Sequence, residues 1–209
     1  MARRLGIALK NGLYTVFVVL AHVVLRIFFR LRIEGRSNVS RSEGYIVVAR
    51  HRSYWDIPMV TAALGATNRL HFIARKGLMK SNPLVQPLIR AYSTVIDREH
   101  FGLADFRQML DAVGQKRLVF IFPEGTTRHR VDAKGGAVYF ASAAGKRILP
   151  INIRAVGPYP PKYPFRFPRV TVSIGVPIAV ADLEGEGDVR RSERLRDMSE
   201  RLMKKVDCA

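Results

Sequence analysis

The chain has 209 residues, 48% of them hydrophobic, which is enough for one domain with its own core. A formal net charge of +18 and an isoelectric point near 10.9 exclude a charge-balanced surface and favour anionic partners: nucleic acid, an acidic membrane, or phosphorylated substrates. Nucleic acid is set aside, because the sequence holds no Cys/His zinc spacing, no aromatic RNA-binding signature and no basic-region heptads; the single cysteine, Cys208, excludes an internal disulfide, is badly placed for catalysis and fits a reducing cytoplasm.

Residues 5–29 are the most apolar stretch. The unbroken run, 12–25, still contains His22 and stops at Arg26, short of the roughly 20 residues that a spanning helix needs. Set on a helix at about 100° per residue, Arg4, Asn11, Thr15, His22, Arg26 and Arg30 form one narrow polar stripe. Two readings follow. Either the helix lies in the membrane interface with Arg26, Arg30 and Arg32 at lipid phosphates, or it spans once with its arginines on the cytoplasmic side. The first is preferred. A cleaved signal peptide is discounted, since no small-residue cleavage site follows.

From residue 31 the pattern becomes globular. A short strand is expected at 30–33, then a turn-rich connection to Gly44. Residues 45–49, Tyr-Ile-Val-Val-Ala, read as a buried strand that ends in a turn at His51. Ser53-x-x-Asp56 has capping-box spacing and predicts a helix starting near Tyr54, with Pro58 in its early turns. Positions five apart do not share a helix face. His51 and Asp56 therefore meet only if one comes from the turn and the other from the first helical turn. A carboxylate so placed fixes the imidazole tautomer and leaves the second nitrogen as a base; a reference imidazole pKa of about 6.5 suits that task. Taken alone, the same residues also read as a plain helix cap and a structural histidine.

Further on, strands are expected at 70–74 and 93–96, followed by Arg75-Lys76 and Asp97-Arg98 respectively. Two cations after a strand also read as a solvated turn, and Asp-Arg as a surface pair. A short or kinked helix with Pro83 and Pro87 is expected at 81–91, and an amphipathic helix at 101–113. His71, alternating with apolar neighbours, reads as structural. Residues 118–122 form a second buried strand running into Pro123-Glu124-Gly125-Thr126-Thr127-Arg128. Lys134-Gly135-Gly136-Ala137 turns into a small-residue helix at 138–144, with N–H groups that suit an anion. Pro150 marks the strand 148–153 as an edge or a bulge. An aromatic, proline-rich loop (157–167) leads to a strand at 169–174, and a charged helix at 189–206 covers the sheet.

The stretches at His51 and Phe122, in this order, resemble the glycerolipid acyltransferases of the 1-acylglycerol-3-phosphate (lysophosphatidic acid) acyltransferase family. His51 and Asp56 match its H-x-x-x-x-D motif, and Phe122-Pro123-Glu124-Gly125-Thr126 its F-P-E-G-T motif. The likeness runs from about residue 33 onward. Ile96-Asp97-Arg98 matches the end of G-x-I-F-I-D-R, with Tyr92 at the glycine position; Leu149-Pro150-Ile151 fits a fourth, proline-containing landmark. The resemblance implies an α/β fold, a mixed β-sheet flanked by helices, with residues 1–32 as a helical membrane anchor and 33–209 as the acyltransferase domain. It also implies acyl transfer from acyl-CoA or acyl-carrier protein to the 2-hydroxyl of lysophosphatidic acid at the cytoplasmic face of the membrane.

In that reading His51 is the base and Asp56 orients it. Glu124, Gly125 and Thr126 shape the acceptor pocket. Arg98, Arg128 and either Arg75 or Lys76 clamp the phosphate. No metal or organic cofactor is expected. Without a G-x-S-x-G elbow, attack is expected to be direct, with no acyl-enzyme. One departure stands out: an arginine commonly follows the threonine of F-P-E-G-T, whereas here Thr127 intervenes before Arg128. That leaves another lyso-lipid acceptor, such as lyso-ornithine lipid, as an alternative. A non-catalytic membrane-surface protein is a further one.

Overall fold

The computed structural model describes residues 2–80, 86–97, 99–124, 135–162, 166–185 and 190–209; for 2–10, 79 and 80 only the backbone is described. In chain order the elements are α1 (Ala2–Phe28), β1 (Arg32–Glu34), β2 (Tyr45–Ala49), α2 (Asp56–Leu64), β3 (Leu70–Arg75), α3 (Gln86–Tyr92) and β4 (Ser93–Ile96). They continue with α4 (Leu103–Gln115), β5 (Leu118–Ile121), α5 (Gly136–Ala143), β6 (Arg147–Val156), β7 (Arg169–Ile174) and α6 (Arg191–Asp207).

The strands form one mixed sheet in the order β1-β7-β6-β2-β5-β3-β4. All neighbours are parallel except β6 and β7. Parallel strands need both faces covered, and the sequence supplies this. All five residues of β2 and all four of β5 are buried. Alternation sorts them between two cores. Tyr45, Val47, Ala49, Leu118 and Phe120 pack on one face with α2 and the end of α1. Ile46, Val48, Val119 and Ile121 pack on the other with α4, α5 and α6. The C-terminal ends of β2, β5, β3 and β4 consequently lie along one edge of the sheet, which is where α/β sheets place their sites.

Two details fix the far end of α2. Arg36 donates from Nε to the Ala63 carbonyl (3.0 Å) and from Nη2 to the Ala62 carbonyl (3.1 Å), satisfying carbonyls that the last turn leaves open. Gly35, before it, has φ 72°, and a Cβ there would fall 2.0 Å from the Ile174 carbonyl oxygen. Only glycine fits that turn.

Of the two expectations for Pro150, an edge strand or a bulge, the structure excludes the edge. β6 is flanked by β2 and β7. Ile148 donates to Ile178 (2.8 Å) on the β7 side, so the nitrogen of Pro150, two residues on, faces the same side. β7 has ended there at Ile174, and the passing chain instead donates from Gly175 N–H to the Pro150 carbonyl (2.9 Å). The missing N–H thus falls where the partner strand is broken.

Helix α1 lies along the α2 face. Tyr14, Val18, Leu25 and, just beyond the helix, Phe29 are buried against it, and the Tyr14 hydroxyl accepts the Leu70 N–H (3.0 Å). The opposite side is bare: Leu13, Val16, Leu20 and Ile27 are each more than half exposed. The segment Asn11–Phe28 is long and apolar enough to cross a membrane, with a mean hydropathy of 1.7.

Candidate active site

The turn after β2 carries His51, and the first turn of α2 carries Asp56. The helix begins at Asp56 and not near Tyr54, because the Ser53 hydroxyl accepts the Trp55 N–H (3.2 Å) instead of capping a later one. Half of the expected capping box survives: Asp56 Oδ2 reaches back to the Ser53 N–H (2.8 Å) and also takes the Arg52 N–H (2.7 Å). The same oxygen lies 3.2 Å from His51 Nδ1. A carboxylate only accepts hydrogen bonds, so Nδ1 carries the hydrogen and Nε2 keeps its lone pair. Among the described residues nothing engages Nε2. Asp56 is completely buried, whereas 14% of the His51 side chain is exposed. The start of α2 places the helix dipole's positive end at that buried carboxylate.

Tyr159 adds a further donor that the sequence reading missed. Its hydroxyl donates to Asp56 Oδ1. Asp56 thereby accepts four hydrogen bonds, from His51, Arg52, Ser53 and Tyr159. Burial, and next the Asp56 charge, push the Tyr159 phenol far above its ordinary value, so it remains a donor. The Arg52 guanidinium, 5.4 Å above the Tyr159 ring, holds the loop against the site and also donates to the Ile153 carbonyl. Tyr159 follows Asp56 by 103 residues, and no local spacing links the two.

The imidazole plane is set by Phe122, stacked on it with ring centroids 3.7 Å apart and planes 15° from parallel. Beside it, Glu124 is turned toward the backbone of the turn. Its Oε2 accepts the His51 N–H (3.0 Å) and its Oε1 the Arg50 guanidinium (2.7 Å). Arg50 in turn forks onto Asp207 of α6, at 2.6 and 2.7 Å. Arg50 and Asp207 are the second set of residues that the sequence reading passed over.

Of the expected phosphate-binding cations, Arg75 and Lys76 lie along the same edge. Parallel strands are about 4.8 Å apart. The end of β3, two strands from β2, is therefore about 10 Å from His51, within reach of a glycerol phosphate and a long side chain. Lys76 is paired with Asp97 (3.3 Å). Chiefly the His100 N–H, and then the Lys76 ammonium, hold the Asp97 carboxyl below its usual range. Arg75 is exposed and has no acidic partner among the described residues. Arg98, Gly125, Thr126 and Arg128 lie outside the described residues.

A sequence model described as Acyltransferase matches residues 30–154, more than half of the chain. The 1-acyl-sn-glycerol-3-phosphate acyltransferase of Streptococcus pneumoniae (strain ATCC BAA-255 / R6) is 30% identical over 150 residues, 71% of this chain. The chain spans 55% of the length of that relative. The crystal structure of the 1-acyl-sn-glycerophosphate (LPA) acyltransferase, PlsC, from Thermotoga maritima superposes with a TM-score of 0.68, covering 95% of this chain and 77% of that one at 23% identity. At that identity the likeness is one of fold.

Proposed function

The chain belongs to the acyltransferase family, and on that premise we propose that it transfers a fatty acyl group from acyl-CoA or acyl-carrier protein to the 2-hydroxyl of lysophosphatidic acid, giving phosphatidic acid. The observation that carries this reading is the His51–Asp56 pair. A buried carboxylate holds Nδ1–H, and the free Nε2 sits at a partly open edge beside cationic strand ends. Nε2 removes the proton of the acceptor hydroxyl as its oxygen attacks the thioester carbonyl carbon. Asp56 stabilises the imidazolium that forms. The tetrahedral intermediate collapses with cleavage of the C–S bond, and the departing thiolate takes the proton from Nε2. Ester and free thiol result, no acyl-enzyme forms, and the balance requires no cofactor.

Glu124 supports the turn that carries the base. Arg75 and Lys76 supply positive charge for the phosphate, and the family motifs assign Arg98 and Arg128 to the same task and Gly125 and Thr126 to the acceptor pocket. Residues 1–32 form the membrane-associating segment and 33–209 the catalytic domain. The bare face of α1 is on the same side of the sheet as α2 and His51. A one-tailed acceptor can then pass from the lipid surface to the base while the basic chain is held on anionic lipid at the cytoplasmic face.

The test is thiol release by the purified protein on vesicles, with both thioester donors and several lyso-lipid acceptors. Lysophosphatidic acid is expected to be acylated, with the rate falling about 10²–10⁴-fold in His51→Ala. Activity on lyso-ornithine lipid but not on lysophosphatidic acid would favour the acceptor that the Thr127 departure raises. Unchanged transfer in His51→Ala would refute the mechanism.

A further inference from the structure

We infer that Arg50 and Asp207 are positioning residues: the end of α6 holds the His51 turn in its working geometry through an ion-pair relay, Asp207–Arg50–Glu124. The inference rests on His51 being the base of the proposed reaction.

Strand alternation sets up the relay. Ile46 and Val48 of β2 face the α6 side of the sheet, and Arg50, two residues on, continues that row. His51, the next residue, faces the α2 side. The two neighbours therefore project to opposite faces, and Glu124 joins them from the end of β5. Glu124 is 7% exposed, and both of its oxygens are in use, one on the Arg50 guanidinium and one on the His51 N–H. If Arg50 moved away, a buried carboxylate would lose its counter-charge and its hold on the His51 backbone would slacken.

Arg50 is itself aimed by Asp207. Nε and Nη2 lie 2.6 and 2.7 Å from the two carboxylate oxygens, a planar fork that leaves Nη1 directed at Glu124. The helix end is seated by buried Leu202 and Val206, and by Asn152, which donates to the Asp207 carbonyl (2.7 Å). Asp207 is the last residue of α6, where the helix dipole disfavours an anion and prefers a cation. A carboxylate placed against that local preference, and bonded two-fold to the residue before the base, is explained by the site and not by the helix.

The experiment uses the full chain. Asp207→Ala and Asp207→Asn are expected to lower kcat about tenfold with KM changed by less than about twofold, since a displaced base weakens the transition state and not lipid binding. Arg50→Ala loses more, and added guanidinium ion restores part of its rate by occupying the gap between Glu124 and Asp207. The control is Asp197→Asn, which breaks an exposed pair with Arg201 (3.0 Å) on the same helix and keeps wild-type kcat. The NMR signals of the His51 imidazole report the same geometry without substrate; they shift in Asp207→Ala and stay in place in Asp197→Asn. If Asp207→Ala matches wild type in kcat, KM and the His51 signals, or if Asp197→Asn is affected equally, the relay is overturned. Loss of acyl transfer as the reading of function is seen separately, as a wild-type chain that acylates nothing while the NMR comparison still stands.

Discussion

Tyr159→Phe removes one oxygen and nothing else. The ring stays half-buried against the core beside Arg52, so packing is preserved. What is lost is the donor to Asp56 Oδ1. Asp56 is completely buried, so water does not replace that donor. A hydrogen bond to a charged group is worth about 1.5–3 kcal/mol, and the loss falls on an ionised side chain that must also hold His51. The variant should therefore be less stable by about that amount. Its carboxylate keeps three donors on Oδ2 but loses the Tyr159 hydroxyl on Oδ1, which loosens the orientation it imposes on Nδ1. We expect kcat to fall about 10–100-fold, the rate equivalent of that energy, with KM nearly unchanged. Urea unfolding gives the stability, and continuous thiol detection on mixed vesicles gives kcat and KM. A Tyr159→Phe protein with wild-type unfolding midpoint and wild-type kcat would refute the claim that Tyr159 orients the acid–base pair.

Other consequences are equally open to measurement. Replacing Leu20 and Ile27 of α1 with glutamate, at positions 60% and 66% exposed, should abolish flotation with anionic vesicles while leaving the melting temperature unchanged; retained flotation would move membrane contact elsewhere. Gly35→Ala drives a methyl group into the Ile174 carbonyl at positive φ, and unfolding should become easier by at least about 2 kcal/mol. Burial, and next the Lys116 charge, lower the His71 pKa to about 4, so the folded chain resists a proton that the unfolded chain takes near pH 6.5. Stability should therefore fall as pH drops from about 6.5 to 4, by about 1–2 kcal/mol after allowing for screening at a half-buried site. Denaturation curves of wild type and His71→Gln across that window would show the slope disappear in the variant.

The parts legible in the sequence are those whose cause is local. The unbroken apolar runs at 45–49 and 118–121 read as buried strands, because they are short, rich in β-branched and aromatic residues, and run out into polar turns. Spacing allowed His51 and Asp56 to meet, one from the turn and one from the first helical turn, and the resemblance carried by the two motifs made that pairing the preferred reading. The capping signature at Ser53 was legible too, although its hydrogen bonds are redistributed once Asp56 turns back to the backbone.

The surroundings of that pair were not legible, because each partner arrives from far along the chain. Tyr159 comes from the loop after β6 and Asp207 from α6, whereas Phe122 and Glu124, at the end of β5, were named in the sequence only through the motif that carries them. Nor could Pro150 be placed: only the sheet order reveals that its strand is internal and that its missing N–H meets a break in β7. The sequence by itself therefore determined the candidate pair, an imidazole beside a carboxylate at the end of a buried strand. Only the tertiary structure decided what holds that chemistry still. Hydrogen bonds depend on distances in space, and strand order, which no local spacing encodes, brings together donors and acceptors separated by up to 157 residues.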